Sequence, residues 1–202
     1  MKIICIGRNY AKHAKEMKSD LPTEPIFFFK PDSALNRFNK MYLPDFTNDL
    51  HHEVELVVKI NRVGKHIPLE FAHKYYDEIG LGIDFTARDV QAECKAKGLP
   101  WEKAKAFDNS AVLSSRFINK TKLDLRNINF SLGINGITVQ EGSSADMIFS
   151  IDQLIAYVSQ FVTLKMGDLI YTGTPEGVGP VKVNDKLEGF LEGQKMFNLS
   201  IK

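Results

Sequence analysis

The sequence predicts an α+β fold that is mostly β, with a few short helices. Three observations carry this. Runs rich in β-branched and aromatic residues, such as EVELVVKI at 53–60 and IFFFK at 26–30, outnumber the stretches with helical signals. Strands and helices do not alternate regularly, which argues against a doubly wound parallel sheet. The composition is that of an ordinary globular chain, 202 residues with 44% hydrophobic and 25% charged. At that length a single domain, 1–202, with a core of its own is expected.

In order along the chain, residues 2–7 read as a short buried strand. Asn9 is placed to cap a polar helix over 10–18. Residues 21–25 form a proline-bounded loop, the aromatic strand follows at 26–30, and Pro31 ends it. Residues 32–49 read as irregular and polar. A strand is expected at 53–60, a short helix at 69–76, and a strand weakened by two glycines at 79–85. The helix 88–97 is stopped by Gly98, with Pro100 beyond. In the second half, Asn135-Gly136 lies between apolar runs within 127–142, the strongest short-range hairpin signal. Ser150 with Gln153 predicts a capping box for a helix running to Val162. A strand at 168–173, a Gly/Pro-rich loop at 172–180 and closing strands at 186–191 and 195–201 complete the pattern.

Lys plus Arg is 26 and Asp plus Glu is 25, a net charge of +1. Duplex-binding proteins carry a large basic excess, so neither nucleic acid nor an anionic membrane is an expected partner. No apolar stretch approaches the ~18 residues of a membrane span. Cys5 and Cys94 are the two cysteines, too few for a disulfide scaffold, which points to a reducing compartment. Cys5, inside Ile3-Ile4-Cys5-Ile6, reads as a small core residue. The N-terminal apolar run is too short for a signal peptide and no Arg-rich leader precedes it, so a cytoplasmic location is expected.

Four constellations could carry chemistry. Glu53 and Glu55 lie two apart in a predicted strand and therefore face one side, with Cβ atoms about 7 Å apart; alternating Glu also describes a solvated face. Asp84 adds a third acid inside the apolar run Gly82-Ile83-Asp84-Phe85. A buried Asp is costly unless paired or coordinating a cation. Three converging carboxylates would suit a hard cation such as Mg²⁺, Mn²⁺ or Ca²⁺. His51 and His52 suggest zinc, but no second His or Cys set at ligand spacing supports it. His13 and Glu16, three apart on a helix, form either a general-base dyad or a surface pair. Arg88 and Gln91 have the same spacing and could reach one anion from one face, and Lys105 lies four residues after the single Trp101; each also fits a solvated helix face. The loop 172–180, with Gly173, Gly177 and Gly179, either presents N–H groups to an anion or is simply a turn, and it lacks the Gly-Lys-Ser/Thr ending of a P-loop.

Taken in order, these pieces resemble the fumarylacetoacetate hydrolase family over nearly the whole chain. The resemblance runs through Cys5-Ile6-Gly7-Arg8-Asn9-Tyr10-Ala11-Lys12-His13, Glu24-Pro25-Ile26-Phe27-Phe28-Phe29-Lys30-Pro31 and His51-His52-Glu53-Val54-Glu55-Leu56. It continues through Asp84-Phe85-Thr86-Ala87-Arg88-Asp89-Val90-Gln91, Trp101, Ala104-Lys105-Ala106-Phe107-Asp108 and Thr172-Gly173-Thr174-Pro175. Length and motif wording are most similar to the branch of acylpyruvate hydrolases and oxaloacetate decarboxylases. The resemblance implies a rolled mixed β-sheet, a homodimer, and one Mg²⁺ or Mn²⁺ held by Glu53, Glu55 and Asp84. It implies that His13 and Glu16 are a catalytic dyad on a mobile lid extending to Pro25. It further implies that Lys105 is catalytic and that Lys30, Arg88, Gln91 and Thr174 face the substrate. Two segments depart from the family's wording, 32–42 and Asn109-Ser110-Ala111-Val112, and neither is expected to touch a ligand.

The function this implies is divalent-metal-dependent cleavage of the C–C bond of acylpyruvates, decarboxylation of oxaloacetate through a metal-bound pyruvate enolate, or both. The substrate is a small 2-oxo acid. Within enzymes, the rival reading is an isomerase or hydratase of 2-oxo or 2-hydroxy-dienoate intermediates of aromatic catabolism, in which the enolate is reprotonated rather than cleaved. Outside enzymes, it is a metal-binding interaction module, against which the His13–Glu16 dyad argues.

Overall fold

The computed structural model describes residues 1–17 and 20–202. In chain order the main strands are β1 (Ile3–Gly7), β2 (Ile26–Lys30), β3 (Leu35–Asn36), β4 (Lys40–Met41), β5 (Leu50–His52), β6 (Val54–Ile60), β7 (Tyr76–Asp84) and β8 (Thr86–Ala87). They continue with β9 (Ala111–Leu113), β10 (Ile118–Asn119), β11 (Asn129–Ile134), β12 (Ile137–Ser143), β13 (Leu169–Tyr171), β14 (Gly179–Pro180), β15 (Lys186–Leu191) and β16 (Gln194–Ile201). The α-helices are α1 (Ala11–Glu16), α2 (Leu69–Ala72), α3 (Arg88–Lys97), α4 (Glu102–Lys105) and α5 (Ile151–Phe161). An eight-stranded mixed sheet runs β2-β1-β13-β6-β7-β9-β3, with β10 beside β7. A five-stranded sheet, β12-β11-β15-β16-β4, and a three-stranded sheet, β14-β5-β8, pack around it.

The alternation of β6 sorts its side chains. Val54, Leu56, Val58 and Ile60 enter the main core with Leu81, Ile83, Phe130, Leu187 and Leu199. Val57 points the other way, into a smaller cluster with Ile3, Cys5, Leu169 and Tyr171. Glu55 shares that second face, because residues two apart in a strand do. Gly82 stands opposite Glu55 across the β6–β7 ladder. A Cβ at Gly82 would lie 2.4 Å from Val112 O and 2.6 Å from the Tyr171 ring, so only glycine admits this approach.

Several predicted elements hold to the residue: 26–30, α3 with left-handed Gly98 as its stop, and 186–191. Ser150 and Gln153 form the capping box of α5. Asn135 and Gly136, both at positive φ, make the hairpin turn. Other elements shift. The helix predicted over 10–18 with Asn9 as its cap begins at Ala11, and Tyr10 occupies the cap without a side-chain bond. Asn9 is instead fully buried, donating to Phe149 O and Thr172 O and accepting from Phe149 N. The helix expected over 69–76 stops at Ala72, and Tyr76 opens β7. Segment 32–49 contains a 3₁₀ turn and two short strands, whose pairing partners lie far along the chain. Lys18 and Ser19, within the predicted helix and lid, lie outside the described residues.

Candidate functional site

The register of β6 and β7 brings three acids together. Val54 pairs with Ile83, and Asp84 N–H donates to Glu53 O. Glu53 itself lies just ahead of β6, so Asp84 stands across from Glu53, with Glu55 beside them. All three are buried, and their oxygens come within 4.8 Å of one another. His51 and His52 do not join them: His51 Nε2 pairs with Asp49 and His52 Nδ1 with Gln140 Oε1. The donor set is therefore entirely oxygen, which suits a hard divalent cation and not zinc.

Three cations hold the acids in place. Lys105 Nζ donates to Glu53 Oε2 at 2.6 Å and to Asp84 Oδ2 at 3.0 Å. Arg88 Nη2 donates to Glu53 Oε1 at 2.5 Å and Nη1 to Gln91 Oε1 at 2.8 Å. Lys30 Nζ lies 2.6 Å from Asp84 Oδ1. Burial opposes ionisation of Glu53, but Lys105 and Arg88 outweigh it and hold the carboxyl well below the usual range. Glu55 shows the opposite balance: burial, Asp84 and Glu53 push it well above the usual range. Among the described residues its one hydrogen-bond donor is Gly173 N–H, 2.7 Å from Oε2. Burial disfavours the Lys105 ammonium, yet Asp84 and Glu53 push its pKa up to about 12. A cluster with one carboxyl under such repulsion is a place where a cation lowers the energy.

Glu53, Glu55, Asp84, Arg88, Gln91, Lys105, Thr174 and His13 line one cavity. His13 Nδ1 pairs with Glu16 Oε2 at 3.0 Å. Glu16 Oε1 also accepts from Gly177 N–H at 3.1 Å, which docks α1 against the Gly/Pro-rich loop. Lys30 is the exception. It does not line the cavity but stands behind Asp84, fully buried, donating to Phe85 O and to both oxygens of Ser110. Expected to face the substrate, Lys30 here directs its ammonium at Asp84 Oδ1. The expectation for Asn109-Ser110-Ala111-Val112 also changes, since Ala111 pairs with Asp84 in the sheet and Ser110 Oγ joins Lys30 to Lys105 O.

One residue was missed altogether. Gln140 of β12 is buried and uses both ends of its amide. Oε1 accepts from Val54 N–H at 3.0 Å and lies 2.8 Å from His52 Nδ1, while Nε2 donates to Thr174 Oγ1 at 2.9 Å and Pro175 O at 3.1 Å. It ties the strand carrying Glu53 and Glu55 to the loop carrying Gly173. Thr174 Oγ1 in turn donates to Val54 O.

The family model for the fumarylacetoacetate (FAA) hydrolase C-terminal region matches residues 2–200. The chain belongs to the fumarylacetoacetate hydrolase family. Relatives within that family include an oxaloacetate tautomerase of Mus musculus named FAHD1, mitochondrial, 46% identical over 99% of this chain and 91% of that protein. The oxaloacetate tautomerase YcgM of Escherichia coli is 46% identical over 96% of this chain and 90% of that protein. The fold, a curled mixed sheet, matches the solved fumarylpyruvate hydrolase of Pseudomonas aeruginosa, a complex with Mn²⁺ and pyruvate. That match has a TM-score of 0.93 and 35% identity, over 100% of this chain and 89% of that one.

Proposed function

We propose that this protein is a divalent-metal-dependent enzyme that forms the enolate of small 2-oxo acids: it tautomerises or decarboxylates oxaloacetate and cleaves acylpyruvates. The observation that carries this reading is the convergence of Glu53, Glu55 and Asp84 in a cavity also lined by His13 and Lys105. Glu53, Glu55 and Asp84 would hold Mg²⁺ or Mn²⁺, which supplies Lewis acidity toward the oxygens of a 2-oxo acid.

The chain's own groups account for the rest. Lys105 sets a positive charge beside the position where enolate negative charge develops. Glu16 engages Nδ1 of His13 and leaves Nε2 for proton transfer. In tautomerisation His13 removes a proton from C3, and the enolate oxygen takes up a proton. In decarboxylation the C3–C4 bond breaks, CO₂ leaves, and a proton is returned to C3. In acylpyruvate cleavage His13 deprotonates a water that attacks the distal carbonyl; the C–C bond breaks to give a carboxylic acid and pyruvate. Arg88, Gln91 and Thr174 orient the substrate, and Lys30 holds Asp84.

Two names among the relatives, both oxaloacetate tautomerases, favour oxaloacetate as the substrate. The fumarylpyruvate hydrolase neighbour favours acylpyruvate cleavage as the second reading. Pyruvate release from an acylpyruvate and loss of the oxaloacetate enol absorbance, followed side by side with Mg²⁺ and Mn²⁺, decide between them; absence of both overturns the proposal. Residues 1–202 act as one catalytic domain, supported by the pairing of β1 with β13 and a family match spanning 2–200. A homodimer, measurable by light scattering, and a cytoplasmic location, measurable by fractionation, belong to the same proposal. No described helix is long and apolar enough to cross a membrane.

A further inference from the structure

The cavity carries a charge pattern that this chemistry leaves unused. At its floor, Glu53, Glu55, Asp84 and Lys105 each expose 5% or less. There the hydrogen bonds of Lys105 and Arg88 go to protein oxygens, as do those of Lys30 behind Asp84. Two more cations line the cavity: half-buried Arg8 and exposed Lys95. Among the described residues neither has a hydrogen bond from its charged group or a carboxylate partner. Lys95 Nζ lies 5.5 Å from the centre of the Trp101 ring, another cavity residue. The floor carboxylates are the only ones among the described lining residues, and most of the remaining wall, including Ile6, Ala14 and Phe28, is apolar.

We propose that Arg8 and Lys95 form a second anion subsite, which binds the distal carboxylate of a dicarboxylic 2-oxo acid such as oxaloacetate while its 2-oxo end lies at the acidic floor. This rests on the 2-oxo-acid reading and names which members of that class the site favours. A second carboxylate leaving water for a partly apolar cavity needs a counter-charge and donors, and a guanidinium supplies both. An acylpyruvate ending in a methyl ketone brings no charge to that end. Arg8 holds φ at 59°, in the left-handed region that side chains other than Asn, Asp and Gly rarely adopt, and it does so at the cavity wall. Partial burial and the positive charges of Arg88 and Arg8 push Lys95 down from its ordinary pKa, a repulsion that an anion between the rim cations relieves.

The test compares kcat and KM for oxaloacetate and for a methyl-ketone 2,4-dioxo monoacid on the Mg²⁺-loaded enzyme, on Arg8→Asn and on Lys95→Gln. Asn tolerates the left-handed backbone, and Lys95 sits on an exposed helix face, so at least one variant reports on a folded protein. The ratio of kcat/KM, oxaloacetate over monoacid, should fall about tenfold in Arg8→Asn, the lower end for a hydrogen bond to a charged group. It should fall about threefold in Lys95→Gln, since an exposed charge is weaker, and both losses should appear in KM. A ratio unmoved in both variants, with the wild type active on both substrates, overturns the rim assignment alone. A wild type inactive on both substrates overturns the 2-oxo-acid reading and this ligand with it.

Discussion

Gln140 offers a test of how the acidic cluster is held. Replacing it by Met keeps the volume close but removes every hydrogen bond of the amide. Thr174 Oγ1 retains Val54 O as a partner, so three groups lose the side-chain partner that the described residues give them in the buried crosslink: Val54 N–H, Pro175 O and His52 Nδ1. A buried polar group left unpaired costs about 1–3 kcal/mol. At the lower end, because neighbours relax, the variant should lose about 3 kcal/mol. With a urea slope of about 2 kcal/mol/M, the unfolding midpoint should fall by about 1.5 M. The same bonds fix the backbone between Glu53 and Glu55 and the loop bearing Gly173, so Mn²⁺ should also bind more weakly. Urea titrations with EDTA and with saturating Mn²⁺ measure both effects, since a ligand stabilises by RT ln(1 + [L]/Kd). The midpoint in EDTA should drop, and the increment gained from Mn²⁺ should shrink. A Gln140→Met protein with both quantities at wild-type values would refute the argument that this amide holds the site.

Three further predictions follow from the same geometry. EDTA should abolish activity, Mg²⁺ or Mn²⁺ should restore it, and Asp84→Ala should remove oxaloacetate and acylpyruvate turnover together; activity that survives chelation contradicts the metal role. His13→Ala should lower acylpyruvate cleavage by roughly 10²–10⁴-fold, the worth of a general base, and decarboxylation much less, with Glu16→Ala following more weakly. Comparison of kcat/KM for both substrates checks this, and equal losses point to another proton acceptor. Lys30→Met should destabilise the protein by about 1.5–3 kcal/mol, because it takes a charged donor from Asp84 Oδ1, Phe85 O and Ser110 and leaves Asp84 with Lys105 alone, read as a lowered thermal or urea midpoint in EDTA.

The acidic cluster was legible because its signals are local. Two acids at strand spacing and one acid in an apolar run are visible without knowing what pairs with what. The register that sets Asp84 across from Glu53 was not, since it depends on how β6 pairs with β7 across the residues that separate them in the chain. Gln140 escaped for a related reason. On a hairpin strand a Gln reads as part of the wet face, and its partners lie 34 to 88 residues away. Lys30 ends an aromatic strand, and nothing local says that it stands behind Asp84; that place comes from the β2–β1 pairing, with Lys30 opposite Ile3. Asn9 shows the limit of capping rules: its side chain has the right chemistry for a cap, but tertiary partners at Phe149 and Thr172 compete for it and win.

The parallel pairing of β1 with β13 sets an order of events during synthesis. Ile3 waits for Leu169, 166 residues later, before its strand gains its second neighbour, and Glu55 waits for Gly173 before its carboxyl has a donor. A ribosome that has delivered the three acids has therefore not yet delivered β13, the strand that pairs with β6. Such distant contacts slow folding, because the entropy of closing a long loop is lost before the contact is gained. The nascent chain carries Glu55 without its Gly173 donor until residue 173, and a chain halted before residue 169 has all three carboxylates and the cations Lys30, Arg88 and Lys105 but not the strand that joins β1 to β6.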